Sequence, residues 1–235
     1  MKTRIALILL AAAMLVPTAR AATVNWSGTL VTDPQINIDS NGATLADTYT
    51  FAIGIFDDGF TPTENNLHDW VGNFTVFDVA KYNNDNGYFG SSAVLEPDGS
   101  RLDVPPGTPP ESGTAGGSLV DYTTAFAGKN AFLWVYNTTA TGSASWEWAL
   151  VRSTSWVFPT FVSGVCCDTE EVTWSVADVD VLVYGGANDD RGPGTYGSTP
   201  PTFQIQTAVP EPSGTVIFAI SALGLLLRRK RNADA

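Results

Sequence analysis

The chain carries a single histidine, His68, set in the run Asn65-Asn66-Leu67-His68-Asp69-Trp70. Nucleophilic catalysis of the Ser-His-Asp kind needs three side chains that converge in space, and Asp69 being next in sequence is no evidence of such a contact. His68 is therefore expected to be a loop or partly buried structural residue. One histidine and two cysteines also fall short of a closed zinc site unless carboxylates complete it. The cysteines, Cys166 and Cys167, are adjacent. They can pair with each other only through a strained eight-membered ring, far from ordinary disulfide geometry. A link between chains and two free thiols are the other arrangements. A loop stapled within the chain would need a distant third cysteine. Asp168, Glu170 and Glu171 follow the pair, and negative charge nearby disfavours the thiolate that catalysis would need.

Carboxylates are more plentiful. Asn37-Ile38-Asp39-Ser40-Asn41-Gly42 opens like an acidic calcium loop, but the twelfth position, where a carboxylate should close the coordination, is Thr48. Asn83-Asn84-Asp85-Asn86-Gly87 fails at its first ligand, Tyr82. Both runs read as Asx-type turns between strands, with no tight metal site and no cofactor expected. A glycosidase would need two acids flanking a groove, and the sequence singles out no such pair. Of the seven tryptophans, any of which could stack on a sugar ring, Trp134, Trp146, Trp148 and Trp174 fall on the core side of alternating runs. Trp70 and Trp156 have less regular surroundings and are the surface candidates.

The elements that would position these groups are strands. Runs of Val, Ile, Thr, Tyr, Phe and Trp are separated by clusters of Gly, Pro, Asn and Asp. Tyr49, Phe51, Ile53 and Ile55 alternate with smaller residues, as in a half-buried strand, and Asp57-Asp58-Gly59 turns it. Residues 131–136, Ala-Phe-Leu-Trp-Val-Tyr, are apolar on both faces, as a central strand is, with Tyr136 expected largely buried. Trp146, Trp148 and Leu150 point one way and Glu147 the other. Val172, Trp174 and Val176 share one face and Val179, Val181 and Val183 the next, so the phase slips near Ala177-Asp178. Such a slip implies a bulge or tight bend. The expected fold is all-β, a jelly-roll-like β-sandwich over residues 22–184. The Pro/Gly-rich run of residues 105–117 is read as an exposed loop within it, and residues 185–208 as a Gly/Pro-rich linker.

Charge narrows the partners. Residues 22–208 hold 22 acidic and five basic residues (Lys81, Arg101, Lys129, Arg152 and Arg191), a formal charge of −17. A surface that acidic repels nucleic acid and anionic headgroups and keeps the domain soluble. The remaining basic residues stand at the two ends. Met1-Lys2-Thr3-Arg4, an apolar run over residues 5–16, Pro17, and Ala19-Arg20-Ala21 make a secretory signal peptide over residues 1–21 with cleavage after Ala21. At the other end Val209-Pro210-Glu211-Pro212-Ser213-Gly214 precedes an uncharged apolar run, residues 215–227, and then Arg228, Arg229, Lys230 and Arg231. As a helix that run covers about 20 Å against a hydrocarbon core of about 30 Å. The basic cluster nevertheless marks it as a short transmembrane helix, because flanking Lys and Arg stay cytoplasmic and snorkel.

Tripeptide, short apolar helix and basic patch, in that order at residues 209–235, resemble the PEP-CTERM sorting signal of Gram-negative bacteria. The resemblance implies recognition of Pro210, Glu211 and Pro212 by an exosortase-type membrane transpeptidase, which removes the tail. Arg228 to Arg231 would act as the stop-transfer cluster. It further implies export through the inner membrane, a transient anchor there, and a final place at the cell surface or in the extracellular matrix. The signal gives an address and says nothing of the cargo's activity. Two functions follow as expectations: a non-enzymatic surface or matrix protein associated with biofilm or exopolysaccharide, or a carbohydrate-binding module or glycoside-active enzyme with the same tag. Surface tryptophan rows or facing carboxylates in a groove would mark the second.

Overall fold

The computed structural model describes residues 22–28, 37–83, 87–95, 125–141, 145–160, 170–198 and 202–210. The leader with Ala19 and Ala21, the loop at residues 105–117, Cys166, Cys167, and the tail from Glu211 and Pro212 through the run at 215–227 to Arg228, Arg229, Lys230 and Arg231 lie outside the described residues.

The described residues form an all-β structure. Its strands are β1 (Ala22–Ser27), β2 (Thr50–Phe56), β3 (Phe74–Lys81), β4 (Gly90–Leu95), β5 (Phe132–Tyr136), β6 (Trp148–Arg152), β7 (Glu170–Ser175), β8 (Val181–Tyr184), β9 (Gly186–Ala187), β10 (Asp190–Arg191) and β11 (Ile205–Gln206). A 3-10 turn (Leu67–Asp69) leads into a four-residue helix, α1 (Trp70–Asn73). The strands make a five-stranded sheet in the order β3-β2-β5-β6-β8, a three-stranded sheet β4-β1-β7 and a small sheet β10-β9-β11. Every pair in the five-stranded sheet is antiparallel, whereas β1 runs antiparallel to β4 and parallel to β7.

The residues expected to fill a central strand do so. Leu133 and Val135 of β5, with Ala149 and Val151 of β6 and Phe51, Ile53 and Ile55 of β2, join one apolar cluster with Val24, Trp26 and Trp174 of the three-stranded sheet. Trp134, Trp148 and Leu150, the alternate residues of the same strands, belong to a second cluster with Trp70, Trp146, Tyr184 and Ala208. The five-stranded sheet is thus buried on both faces. That corrects the half-buried reading of β2, whose last six residues are all buried.

It also corrects the placement of Trp70. Helix α1 lays its indole flat on Trp148, with ring centroids 5.6 Å apart, and edge-on to Trp134 and Tyr184. The indole N–H donates to Asn66 Oδ1 at 2.9 Å, so the ring is 0 % exposed with its polar edge satisfied. Trp156, the other expected surface ring, is folded inward by a turn on Ser153 and stacks on Trp174. All seven tryptophans are buried, none more than 7 % exposed. Tyr136, expected largely buried, is half-buried at the end of β5.

Two local features set how the sheets meet. Opposite the register shift at Ile53/Gly54, a Cβ on Gly54 would lie 2.3 Å from the Thr75 carbonyl oxygen, so only glycine fits there. The phase slip near Ala177-Asp178 is a tight bend, a 3-10 turn (Val176–Asp178) that carries the chain from β7 in one sheet to β8 in another. Ser175 caps it reciprocally: its Oγ accepts from Ala177 N at 3.3 Å while its own N–H donates to Asp178 Oδ2 at 3.0 Å.

Replacing Trp70 with alanine opens a cavity against four other aromatic rings, Phe56, Trp134, Trp148 and Tyr184, and should destabilise the domain by about 3–5 kcal/mol. A surface tryptophan would change stability by less than about 0.5 kcal/mol. Urea unfolding followed by fluorescence distinguishes the two.

Candidate functional site

Of residues 185–208, expected as a linker, the described ones, 185–198 and 202–208, are part of the folded domain. Asn188 and Asp189 both have positive φ (54° and 69°), the signs of the two-residue turn that joins β9 to β10. Asn188 donates from Nδ2 to the Val176 carbonyl at 2.8 Å, and Asp189 Oδ1 accepts from Phe203 N. Beyond residue 201 the chain returns through the structure. Ile205 and Gln206 pair with β9, Ala208 bridges to Trp148, and Val209 bridges to Thr195. Residues 203–208 are all 2 % exposed or less. A strand signature was present: Phe203, Ile205 and Thr207 alternate with Gln204 and Gln206. The Gly and Pro content of residues 192–201 concealed it.

Arg191 holds this return. Its Nε donates to Gln206 Oε1 at 2.9 Å and an Nη to the Ser198 carbonyl at 2.8 Å, while the guanidinium lies 4.8 Å from the Tyr196 ring centre. Burial pushes the Tyr196 hydroxyl up to about 12, against the opposing pull of Arg191. Glu147 is the second anchor. Its carboxylate accepts from Ser40 N (3.1 Å), Ser40 Oγ (2.8 Å), Tyr49 Oη (3.1 Å) and Thr207 Oγ1 (2.9 Å). Burial, reinforced by that carboxylate, raises Tyr49 well above the ordinary tyrosine range. Sequence reasoning saw only that Glu147 faces away from Trp146 and Trp148. A lone acid inside an apolar run was the available signal.

The residues of the expected sorting tripeptide divide at this point. Pro210, the first of the tripeptide, is the last described residue and is buried, directly after the Thr195–Val209 bridge. Glu211 and Pro212 lie outside the described residues. Among the described residues no helix is long and apolar enough to cross a membrane.

The remaining candidates settle into local structure. Asp39 accepts from Asn41 N (2.8 Å) and Ala43 N (2.9 Å), the expected Asx-type turn. Asn83 and Tyr88 bridge across the second acidic run. Among the described residues, no three His, Cys, Asp or Glu side chains group to hold a metal ion. His68 is exposed, its ring 5.3 Å from Trp146. Among the described residues, an open groove of about 340 Å³ is lined by Phe60, Thr61, Asn130, Phe132 and Arg152. Its neighbour, about 270 Å³, shares both rings and adds Asp57, Asp58 and Lys129. Lys129 pairs with Asp58 at 3.0 Å, and Arg152 lies 5.6 Å from the Phe132 ring centre.

No protein-family model matches the chain, and neither does any curated protein or solved structure.

Removing the Glu147 carboxylate with Glu147→Ala leaves three hydroxyl donors without their acceptor. It should cost about 2–4 kcal/mol in urea unfolding, whereas exposed Glu64→Ala should change stability by less than about 0.5 kcal/mol.

The tyrosines give a pH dependence. Burial raises Tyr49, Tyr82, Tyr136 and Tyr196 in the folded state, so folding favours their protonated forms. That stability is whole below the unfolded value of about 10 and is lost as pH rises towards the folded values. The melting temperature should hold between about pH 7 and 9, then fall above about pH 10, less steeply in Tyr136→Phe.

Proposed function

We propose that this is an exported, non-enzymatic surface or matrix protein of a Gram-negative bacterium. Its ectodomain is a jelly-roll-like β-sandwich, and its C-terminus is a PEP-CTERM sorting signal read by an exosortase-type transpeptidase. One observation carries the reading. The last backbone pairing of the described fold is at Val209, and the Pro210-Glu211-Pro212 tripeptide begins at the next residue. The expected cleavage at the other end has the same property, since β1 starts at Ala22, directly after Ala19-Arg20-Ala21. Trimming at either boundary would remove no described strand. In the intact precursor, Arg228 to Arg231 hold the short apolar run against translocation.

Association with extracellular polysaccharide rests on the groove at Phe60 and Phe132. Aromatic faces beside an amide, two cations and two carboxylates offer a sugar both stacking and hydroxyl partners. No tryptophan is available for stacking, since all seven are buried.

Glu211→Ala should be exported normally but accumulate as uncut, membrane-bound precursor. Neutralising Arg228 to Arg231 should instead weaken membrane retention. Blots of membrane and surface fractions, in a host carrying the transpeptidase, read both outcomes. Equal processing of Glu211→Ala and wild type would refute the role of Glu211. A mature protein that keeps Leu225-Leu226-Leu227 would leave only a plain anchor.

Residues 22–210 applied to a glycan array should retain neutral rather than acidic polysaccharides, since the acidic surface repels polyanions, and Phe60→Ala should weaken retention about tenfold. Uniform absence of binding would remove the polysaccharide from the proposal.

A further inference from the structure

The groove at Phe60 and Phe132 is shaped by the turn that ends β2. After Phe56 the residues Asp57-Asp58-Gly59 reverse the chain, with Gly59 at φ +86° and Phe60 N donating to the Asp57 carbonyl at 3.0 Å. Asp57 N in turn donates to the Asn73 carbonyl at 2.9 Å, which pins the turn to the end of α1. The turn stacks Phe60 on Phe56, ring centroids 5.3 Å apart, and Phe132 meets Phe56 edge-on at 5.3 Å. One face of Phe60 is therefore covered, and the half-buried ring keeps its remaining surface for the groove it lines. The hollows of about 340 and 270 Å³ adjoin along Phe60, Asn130 and Phe132.

The two hollows differ in charge. In the larger, Arg152 stands 5.6 Å from the Phe132 ring centre. Asp180 answers that cation, its carboxyl held below the usual carboxylate range by the Thr154 hydroxyl first and by Arg152 in addition. In the smaller, Lys129 pairs with Asp58 at 3.0 Å. That leaves the exposed Asp57 as its carboxylate without an ion-pair partner among the described residues. Residues 22–208 around it carry a formal charge of −17, a field that concentrates cations at the surface and repels anions.

We propose that this groove binds a cationic amino-sugar polymer, with one sugar ring against Phe60 and its ammonium on the Asp57 carboxylate. This rests on the polysaccharide reading above and names its substrate class. A protonated hexosamine offers both things the smaller hollow can hold: a C–H face for the phenyl ring and a cation for the acid and the ring quadrupole. At the Arg152 end an ammonium would meet like charge, so the ring there is uncharged, as an N-acetylated unit is. The polymer that fits is a partly N-acetylated one. A basic peptide brings the charge without the rigid apolar ring face, and must order its flexible side chains to bind.

The test is calorimetric titration of the full-length protein in detergent, at mildly acidic pH where the amines are protonated. The probes are two N-acetylglucosamine oligomers of equal length, one fully acetylated and one with half its acetyl groups removed. The partly deacetylated oligomer should bind about tenfold more tightly, and high salt should erase that preference. Asp57→Asn, at an exposed side chain whose backbone still makes the turn, should abolish the preference, and Phe60→Ala should weaken both oligomers. Equal affinity for the two, with Phe60→Ala weakening both, overturns the amino-sugar assignment and leaves the polysaccharide reading standing. A preference that survives both Asp57→Asn and Phe60→Ala overturns it in favour of diffuse attraction to the acidic surface. Oligolysine of matched charge that displaces the oligomer at equal concentration overturns it in favour of a basic peptide. Failure of both oligomers to bind removes the polysaccharide reading and this assignment together.

Discussion

The carboxylate of Glu147 is where separate parts of the chain are made to agree. It sits half-buried just before β6, and an acid withdrawn from water there must find donors or be destabilising. It finds four, on Ser40, Tyr49 and Thr207. Those residues lie in the turn after Ile38, at the entry to β2, and in the C-terminal return. Charge-assisted bonds are short and directional, so they fix the relative positions of the three segments as well as their proximity. The backbone of Glu147 is fixed in turn, its N–H donating to Asn137 Oδ1 at 3.0 Å. From this point the return can reach Trp148 and Thr195 and cover the second face of the five-stranded sheet.

That second face explains what sequence patterns could reveal and what they could not. Alternation reports which side of a strand is apolar, and it located β2, β5, β6, β7 and β8, the core positions of Trp134, Trp148 and Trp174, and the bend at 176–178. The bend was legible because a change of sheet at that point flips which residues face inward. Alternation is silent about what covers the far side of a sheet. A two-sided strand such as β2 keeps its alternating look when small residues such as Ala52 and Gly54 occupy the other face. Trp70 and Trp156 were misplaced for a related reason. Each is buried by a turn, and turns have no period.

The return at 202–210 was misread through composition. Glycine and proline dominate the residues just before it, and the pairing that follows is to partners far away in sequence, at Ile38, Trp148 and Thr195. Short strands of two residues carry little local signal, since their stability comes from long-range contacts. Arg191 is a similar case. One of only five basic residues between 22 and 208, it is committed to holding Gln206 and the Ser198 carbonyl rather than to solvent.

The topology also orders events in time. β1, the first strand, pairs with β7 nearly 150 residues later, with Trp26 donating across to the buried carboxylate of Asp78 at 2.8 Å. The last strand closes on residues 38 and 148. Non-local pairings of this kind form late, because loop closure must precede the contacts that reward it. The three-stranded sheet therefore waits for residue 175, and the cover over the second face waits for residue 209.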